Sequence, residues 1–444
     1  MANFSFETIT AAEALGVTAA DHLTVSSGPA YAATVLYGAA GDITLILGAQ
    51  SVDFGGGLAP LSQAGGVTFT DGTVLYVGDG GPNTKDFGFQ SKTSGAFFGG
   101  GGDDFVLVGD GRFVIQLNAG NDQVQTSGNG FDTIYGGQGD DIISFGASPG
   151  TPGQSFAQGN MGNDAIFGGL GADTLLGGKG DDTISGNGGA ADFLNGNLGN
   201  DNINGQGQLF GEDGNDSIAS SGGGLSTLSG GNGDDRLVSG GSASQNSPTV
   251  IFGDDGNDTI FASNPGHDEL HGGAGNDLLT TQSAGHDLLD GGAGDDHIVG
   301  ADFGGQDDET LSGGDGADTI QGMGGLDVVF GGQGADLFFL GSGQSNLQAG
   351  RLERIMDWSH EDRIGAFNIG DLSQNYVETT APDYASALSR AQSAPANGVV
   401  VVQVGSDVIV FTDVPASPNS IVVPDAVMLV GRTLADIDVS NFGF

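Results

Sequence analysis

Large apolar residues recur through the middle of this chain at a spacing that belongs neither to an amphipathic helix nor to an ordinary alternating strand. Between residues 99 and 339 a nine-residue unit of the form Gly-Gly-x-Gly-x-Asp-x-U-x, with U a large apolar side chain, returns again and again. It opens as Gly99-Gly100-Gly101-Gly102-Asp103-Asp104-Phe105-Val106-Leu107 and reappears as Gly177-Gly178-Lys179-Gly180-Asp181-Asp182-Thr183-Ile184-Ser185 and as Gly331-Gly332-Gln333-Gly334-Ala335-Asp336-Leu337-Phe338-Phe339. Such a period outranks local propensity as a guide to architecture. The glycines permit the positive-φ conformations of a tight turn, and x-U-x reads as a very short strand with one side chain pointing inward. Two units then make one coil of about eighteen residues: turn, strand, turn, strand.

Numbering the half-turns alternately separates two flanks. On the first, the sixth positions are Asp104, Asp122, Asp141, Asp164, Asp182, Asp201, Asp216, Asp235, Asp258, Asp277, Asp296, Asp318 and Asp336, thirteen of thirteen. The eighth positions of the same units run from Val106 and Val124 to Ile320 and Phe338, all apolar, and form one wall of the expected core. The second flank keeps Asp132, Asp173, Asp192, Asp268, Asp287 and Asp327, but shortens at 205–210 and swells into loops at 145–158, 239–252 and 300–312. Some of these irregular half-turns still end in x-U-x, with Ser155-Phe156-Ala157 and Val250-Ile251-Phe252 as the readings. The regular flank is expected to hold the fold, and the irregular one to offer loops to partners.

The pattern divides the chain into 1–98, 99–339 and 340–444. The first stretch predicts a short helix over 9–15 and strands over 23–26, 33–37 and 43–47, with a hairpin at 67–77 turned by Asp71-Gly72. A β-rich cap on the open end of the coil stack is one role for it, and an anchoring or lattice-contact module is another. Past residue 339 a helix is expected over 382–394 with Asp383 as N-cap, and a hairpin of 399–404 with 408–412 around Gly405-Ser406.

Composition changes this picture in one respect. The 444 residues include 87 Gly, no Cys, and 56 Asp plus Glu against 10 Lys plus Arg, a net charge of −46. That balance excludes nucleic acid and anionic membrane surfaces as partners, and the missing cysteines exclude disulfides and thiol chemistry. With so much like charge the chain reads as disordered unless cations are built into the fold. The sixth-position Asp supplies the hard carboxylate oxygen that calcium prefers, and the glycines let backbone carbonyls converge. No apolar run is long enough to span a bilayer, and residues 1–7 have neither the positive start nor the apolar core of a secretory signal peptide, which predicts no membrane insertion.

Two rival chemistries fail on geometry. His267-Asp268-Glu269-Leu270-His271 approaches a zinc-protease motif but has Asp where Glu is required, and it lies in a repeat where the histidines share no helical face. Gly146-Ala147-Ser148-Pro149-Gly150 matches Gly-x-Ser-x-Gly without the strand before it or the helix after it.

The nonapeptides resemble those of the RTX (repeats-in-toxin) family, and Leu352-Glu353-Arg354-Ile355-Met356-Asp357-Trp358 followed by His360-Glu361-Asp362-Arg363-Ile364 resembles the segment closing many RTX rolls, an apolar-Asp-aromatic step before an Asp-x-Ile step. The resemblance implies an all-β fold: a right-handed parallel β-roll (β-solenoid) loaded with calcium, with a β-rich N-terminal cap and a mostly β C-terminal cap. The expected ligands are the thirteen first-flank Asp residues together with Asp132, Asp173 and Asp327. It also implies a type I secretion exporter reading an uncleaved C-terminal signal, and so a secreted protein at the surface of a Gram-negative bacterium. Some 98 residues before the repeats and 105 after leave little room for a catalytic domain. The favoured function is therefore a non-enzymatic calcium-binding structural protein of surface-layer, biofilm-matrix or adhesin type, associating with itself or with a cell-surface glycan or protein. The alternative is a secreted hydrolase, such as a polysaccharide-modifying enzyme, carried on the roll.

Overall fold

The computed structural model describes all residues except 39–40, 89–92, 128–129, 147–152, 222–224, 241–247, 264–265, 283–284, 302–307, 340–351, 366–371, 395–397, 413–424 and 443–444. The Gly146 to Gly150 match, most of its Pro- and Gly-rich loop, and the tips of the two other enlarged loops thus lie outside the described residues. The chain divides into two compact units, Met1–Asp213 and Gly214–Phe444.

The first unit begins with Asn3–Ser5, His22–Val25 and Val67–Phe69 in a parallel sheet, beside an antiparallel meander of Thr34–Tyr37, Ile43–Leu47 and Gln50–Asp53. Helix Ala11–Leu15 starts at a capping box in which Thr10 Oγ1 accepts the Glu13 N–H while Glu13 reaches back to the Thr10 N–H. A second helix, Leu58–Gln63, was not evident from its Gly- and Pro-containing sequence; Pro60 is tolerated because it lies in the first turn. Leu58 and Leu61 from this helix join Phe6, Leu23, Leu45 and Phe54 in one core.

The hairpin expected at 67–77 is corrected. Val67–Phe69 lies parallel to His22–Val25, whereas Val74–Val77 lies parallel to Gly95–Phe98. Asp71-Gly72 does turn the chain, with Gly72 at φ +82°, but it passes the chain from one sheet to another. Asp71 Oδ1 fixes the turn by accepting both the Thr73 N–H and its hydroxyl, at 3.0 and 2.7 Å.

The remainder of this unit is a parallel β-solenoid. One sheet stacks Thr84–Asp86, Phe105–Val108, Gln123–Thr126, Ile142–Ser144, Ala165–Phe167, Thr183–Ser185 and Asn202–Gly205. The facing sheet stacks Gly95–Phe98, Phe113–Ala119, Thr133–Gln138, Phe156–Met161, Thr174–Lys179, Asp192–Leu198 and Gly207–Asp213. Registers place each U residue on the next: Val106 on Val124, then Ile143, Ile166, Ile184 and Ile203. The facing wall is Ile115, Ile134, Ala157, Leu175, Leu194 and Leu209, and both walls are fully buried. Ala157, not Phe156, is therefore the inward residue of its half-turn, which corrects the Ser155-Phe156-Ala157 reading. Parallel rungs already exist before Gly99. In the first, Lys85 occupies the register of Val106 and holds its ammonium 5.4 Å from the ring centres of Tyr76 and Phe87.

The second unit repeats this construction. Ile218, Leu237, Ile260, Leu279, Ile298, Ile320, Phe338 and Ile364 stack in one wall; Leu228, Ile251, Leu270, Leu289, Leu311, Val329 and Ile355 stack in the other. Glu353–Ile355 then pairs in parallel with Asp425–Leu429, the edge of a small sheet with Asp407–Thr412, Val399–Val404 and Tyr376–Ala381. The 399–412 hairpin turns at Gly405, φ +66°, as its sequence indicated. Helix Tyr384–Ala391 is capped by Asp383, which accepts the Ser386 N–H at 2.8 Å, and buries Ala387 and Ala391 against Val400, Val402 and Phe411. Among the described residues no helix is long and apolar enough to cross a membrane.

Candidate metal centre

Each turn delivers its sixth-position Asp to the same place. In the first unit Asp104, Asp122, Asp141, Asp164, Asp182 and Asp201 all precede strands of one sheet, and in the second unit Asp216, Asp235, Asp258, Asp277, Asp296, Asp318 and Asp336 do likewise. In both units these residues are at least 98% buried. Within each unit the first-flank aspartates form a ladder. The backbone N–H of Asp104 donates to Asp122 Oδ1 at 2.6 Å, Asp122 to Asp141 at 2.8 Å, Asp141 to Asp164 at 2.8 Å and Asp164 to Asp182 at 2.7 Å. In the second unit the series runs from Asp216 N–H to Asp235 Oδ1 at 2.7 Å through to Asp318 N–H on Asp336 Oδ1 at 3.0 Å.

One oxygen of each carboxylate is thus held by the preceding coil. The other is not: Oδ2 of Asp104, Asp122, Asp141, Asp164, Asp182, Asp235, Asp258, Asp277, Asp296, Asp318 and Asp336 is buried and accepts no hydrogen bond. A buried acceptor left so costs about 1–3 kcal/mol, and a charged one more. The repetition of this arrangement marks a ligand position rather than a packing fault.

The first glycine of each unit shows what the oxygens face. A Cβ placed on Gly136 would sit 2.2 Å from Asp141 Oδ2 and 2.7 Å from the Gly159 carbonyl oxygen of the next coil. Gly253, Gly272 and Gly313 stand in the same relation to Asp258, Asp277 and Asp318 and to the carbonyls of Gly272, Gly291 and Gly331. Carboxylate and carbonyl oxygens from adjacent coils therefore converge on a space that only glycine leaves open. The second and fourth glycines take positive φ, as at Gly137 (+121°) and Gly139 (+113°), which bends the turn around that space. Among the described residues no three His, Cys, Asp or Glu side chains converge, so an ion here draws its remaining ligands from the turn carbonyls. An all-oxygen, carbonyl-rich donor set fits calcium, which takes about six to eight oxygens in flexible geometry.

Electrostatics point the same way. Burial, reinforced by the Asp122, Asp164 and Asp140 charges, pushes the Asp141 carboxyl up to about 8, although the Asp122 amide opposes it. Burial likewise raises Asp104, Asp182, Asp235, Asp258 and Asp296 to about 7. A stack of buried like charges needs protons or cations to persist.

The second flank continues the ladder with other side chains. Phe113 N–H donates to Asp132 Oδ1 at 2.9 Å, Asp132 N–H to Ser155 Oγ at 3.4 Å, Ser155 N–H to Asp173 Oδ1 at 2.8 Å, and Asp173 N–H to Asp192 Oδ1 at 2.9 Å. In the second unit Thr249 N–H donates to Asp268, Asp268 N–H to Asp287, and Glu309 N–H to Asp327. Ser155, Thr249 and Glu309 thus occupy Asp positions; counting back two residues from the inward Ala157, Ile251 and Leu311 would have found them. Among these Asp residues the second oxygen has two fates. Oδ2 of Asp132, Asp192 and Asp268 accepts nothing, whereas Oδ2 of Asp173 takes the Gly169 N–H at 3.0 Å and that of Asp287 takes the Thr281 hydroxyl at 2.7 Å. Both oxygens of Asp173, an expected ligand, accept protein N–H groups, and Asp327 Oδ1 receives the Glu309 amide.

The end of the second unit's ladder falls in the segment expected to close the roll, whereas the start of the first unit's ladder escaped sequence reading. Asn83 opens it by donating its N–H to Asp104 Oδ1 at 2.7 Å. Asp362 closes the second unit's ladder, accepting the Asp336 N–H at 3.2 Å on Oδ1 and the Ser359 N–H at 2.6 Å on Oδ2. Asp357 accepts the N–H groups of Gly331 and Gly332 at 2.9 and 3.0 Å, and Trp358 packs against Phe338 with ring centres 6.0 Å apart and planes tilted by 35°.

His267 and His271 serve no common centre. His267 lies in a turn, its Nδ1 3.2 Å from the His286 carbonyl, while His271 stacks on Phe252 with Nδ1 3.9 Å from Asp290. Asp268 between them belongs to the ladder.

A parallel solenoid whose turns line up buried carboxylates and carbonyls is a calcium-binding β-roll. The profile of the RTX calcium-binding nonapeptide repeat (4 copies) matches residues 118–148, 158–191, 250–264, 283–302 and 303–338. The middle of the chain is thus built from RTX nonapeptide repeats, a calcium-binding structural element. No curated protein matches the chain.

Proposed function

We propose that the chain is a secreted structural protein of the bacterial cell surface, of surface-layer, biofilm-matrix or adhesin type, that folds on meeting extracellular calcium. The observation carrying this reading is the ladder of buried aspartates whose Oδ2 atoms have no protein donor. Metal affinity and folding are then one free energy, because the ligand array exists only in the folded coil stack. Extracellular calcium modules work at about 10⁻⁴ to 10⁻³ M, so the roll stays unfolded in a cytosol and forms outside the cell.

The ions are held by the thirteen first-flank aspartates and by Asp132, with Asp327 as a further ligand; Asp173, its oxygens engaged, contributes weakly. Residues 1–98 serve as a cap or lattice contact, and 340–444 as a cap bearing the signal for a type I exporter. Partners are other copies of the chain or a cell-surface glycan or protein. The test is a calcium titration of the purified chain followed by circular dichroism and light scattering. β-structure and then assembly should rise with calcium; full β-structure in excess chelator would overturn the reading.

A further inference from the structure

The outward face of the second-flank sheet in the first unit differs from the rest of this acidic chain. Register aligns Val114, Thr133, Phe156 and Thr174 in one column, and Gln116, Tyr135, Gln158 and Leu176 in the next. All eight are half-buried, and none carries a carboxylate or an ammonium, in a chain with 56 acidic residues. Tyr135 and Phe156, on adjacent coils, meet with ring centres 5.6 Å apart and planes tilted by 54°.

Two depressions of about 510 Å³ each open on either side of this pair. The first is lined by Tyr135 with the amides of Gln116, Asn118, Gln138 and Asn160. It exists because Gly137 lies in register between Asn118 and Asn160, so two amides on alternate coils flank a position with no side chain. Asn118 and Asn160 hold φ of +77° and +82°, and their Nδ2 groups donate to the Gln116 and Gln158 carbonyls at 3.2 and 3.3 Å. The second depression is lined by Phe156, Phe131, Gln154, Thr133 and the buried Asp132 of the ladder, with Arg112, 5.1 Å from the Tyr31 ring centre. Phe131 is 58% exposed. From Phe131 to Gln138 the path runs into and along strand Thr133–Gln138, at most about 23 Å at ~3.3 Å per residue.

We propose that this face binds a neutral polysaccharide, laid along the strand direction from the Phe131 depression, over Phe156 and Tyr135, into the amide-lined depression. Aromatic faces cover the C–H side of sugar rings, and each amide offers both a donor and an acceptor to ring hydroxyls. Concave volumes of this size suit single rings better than a flat protein surface. Charge selects the occupant: a net −46 disfavours acidic polysaccharides and nucleic acids on this face, but not an uncharged glycan. This inference goes beyond the calcium-dependent folding proposed above and is tested with that folding held constant.

The test is affinity electrophoresis of the full chain in calcium through gels containing hydroxyethyl cellulose, dextran or polygalacturonate. At least one neutral polymer should retard the chain. The double variant Tyr135→Ala/Phe156→Ala should weaken that retardation at least about tenfold, and Gln138→Ala, at an exposed position, about threefold. Circular dichroism in calcium checks that each variant keeps its β-structure; should the double variant lose it, Gln138→Ala carries the test alone. Retardation by polygalacturonate only, by no polymer, or equally in wild type and variants would overturn the proposal. So would variants that alter sedimentation mass while leaving glycan retardation unchanged, which would assign the face to self-association. None of these results bears on whether calcium folds the roll.

Discussion

Asp141→Asn separates the two roles of a ladder carboxylate, because the amide oxygen still accepts the Asp122 N–H now held at 2.8 Å while the charge is lost. Without calcium the charge is a burden. Burial and neighbouring aspartates move the Asp141 carboxyl from 3.8 to about 8, a span of roughly 4 units that at ~1.36 kcal/mol each sets a ceiling of ~6 kcal/mol. With calcium the sign reverses, because the variant offers the ion a neutral oxygen in place of an anionic one. The calcium midpoint for β-structure should rise about threefold to tenfold, or ~0.7–1.4 kcal/mol, while residual structure in chelator increases. Asp173→Asn is the contrast: its Oδ2 already takes the Gly169 N–H at 3.0 Å, so the substitution should weaken the fold similarly with and without calcium and shift the midpoint little. Calcium titrations by circular dichroism on the three proteins decide the matter. An Asp141→Asn midpoint equal to or below wild type, or an equal shift from Asp173→Asn, would refute the reasoning.

In chelator, burial raises the folded-state values of first-flank carboxyls, Asp122 to about 6 and Asp141 to about 8, above the 3.8 of an unfolded Asp. Their contribution is therefore complete below about pH 4 and is lost as pH rises through that window, so metal-free β-structure should decline from pH 6 to 8. In calcium the trend should invert, since the ligating carboxylates must be ionised; parallel pH titrations by circular dichroism would show the curves crossing. Gly177→Val would put a Cβ 2.1 Å from Asp182 Oδ2 and 2.8 Å from the Gly196 carbonyl, and should abolish calcium-dependent folding of nearby coils in hydrogen exchange. Asp357→Ala removes the acceptor of the Gly331 and Gly332 N–H groups and should lower the calcium-loaded melting stability by about 1–3 kcal/mol, read by calorimetry.

What the sequence made legible follows from what the repeat constrains. At sixth positions of the first flank one side chain must both accept an amide and face an ion, and Asp is the residue that does both there, so the period announced itself. On the second flank the backbone still requires an acceptor at each step, yet Ser155 can supply it without a charge. The acceptor requirement therefore keeps the coil stack intact where the motif has vanished, and a reader tracking Asp loses the register. That slip had a second effect: counted from Phe156, the half-turn buries its ring; counted from Ala157, the ring turns outward beside Tyr135. An alanine in the wall between Ile134 and Leu175 keeps the coil closed while the larger side chain beside it faces solvent. The relaxed flank thus gives up calcium at some steps and, in the same residues, gains an outward face of rings and amides.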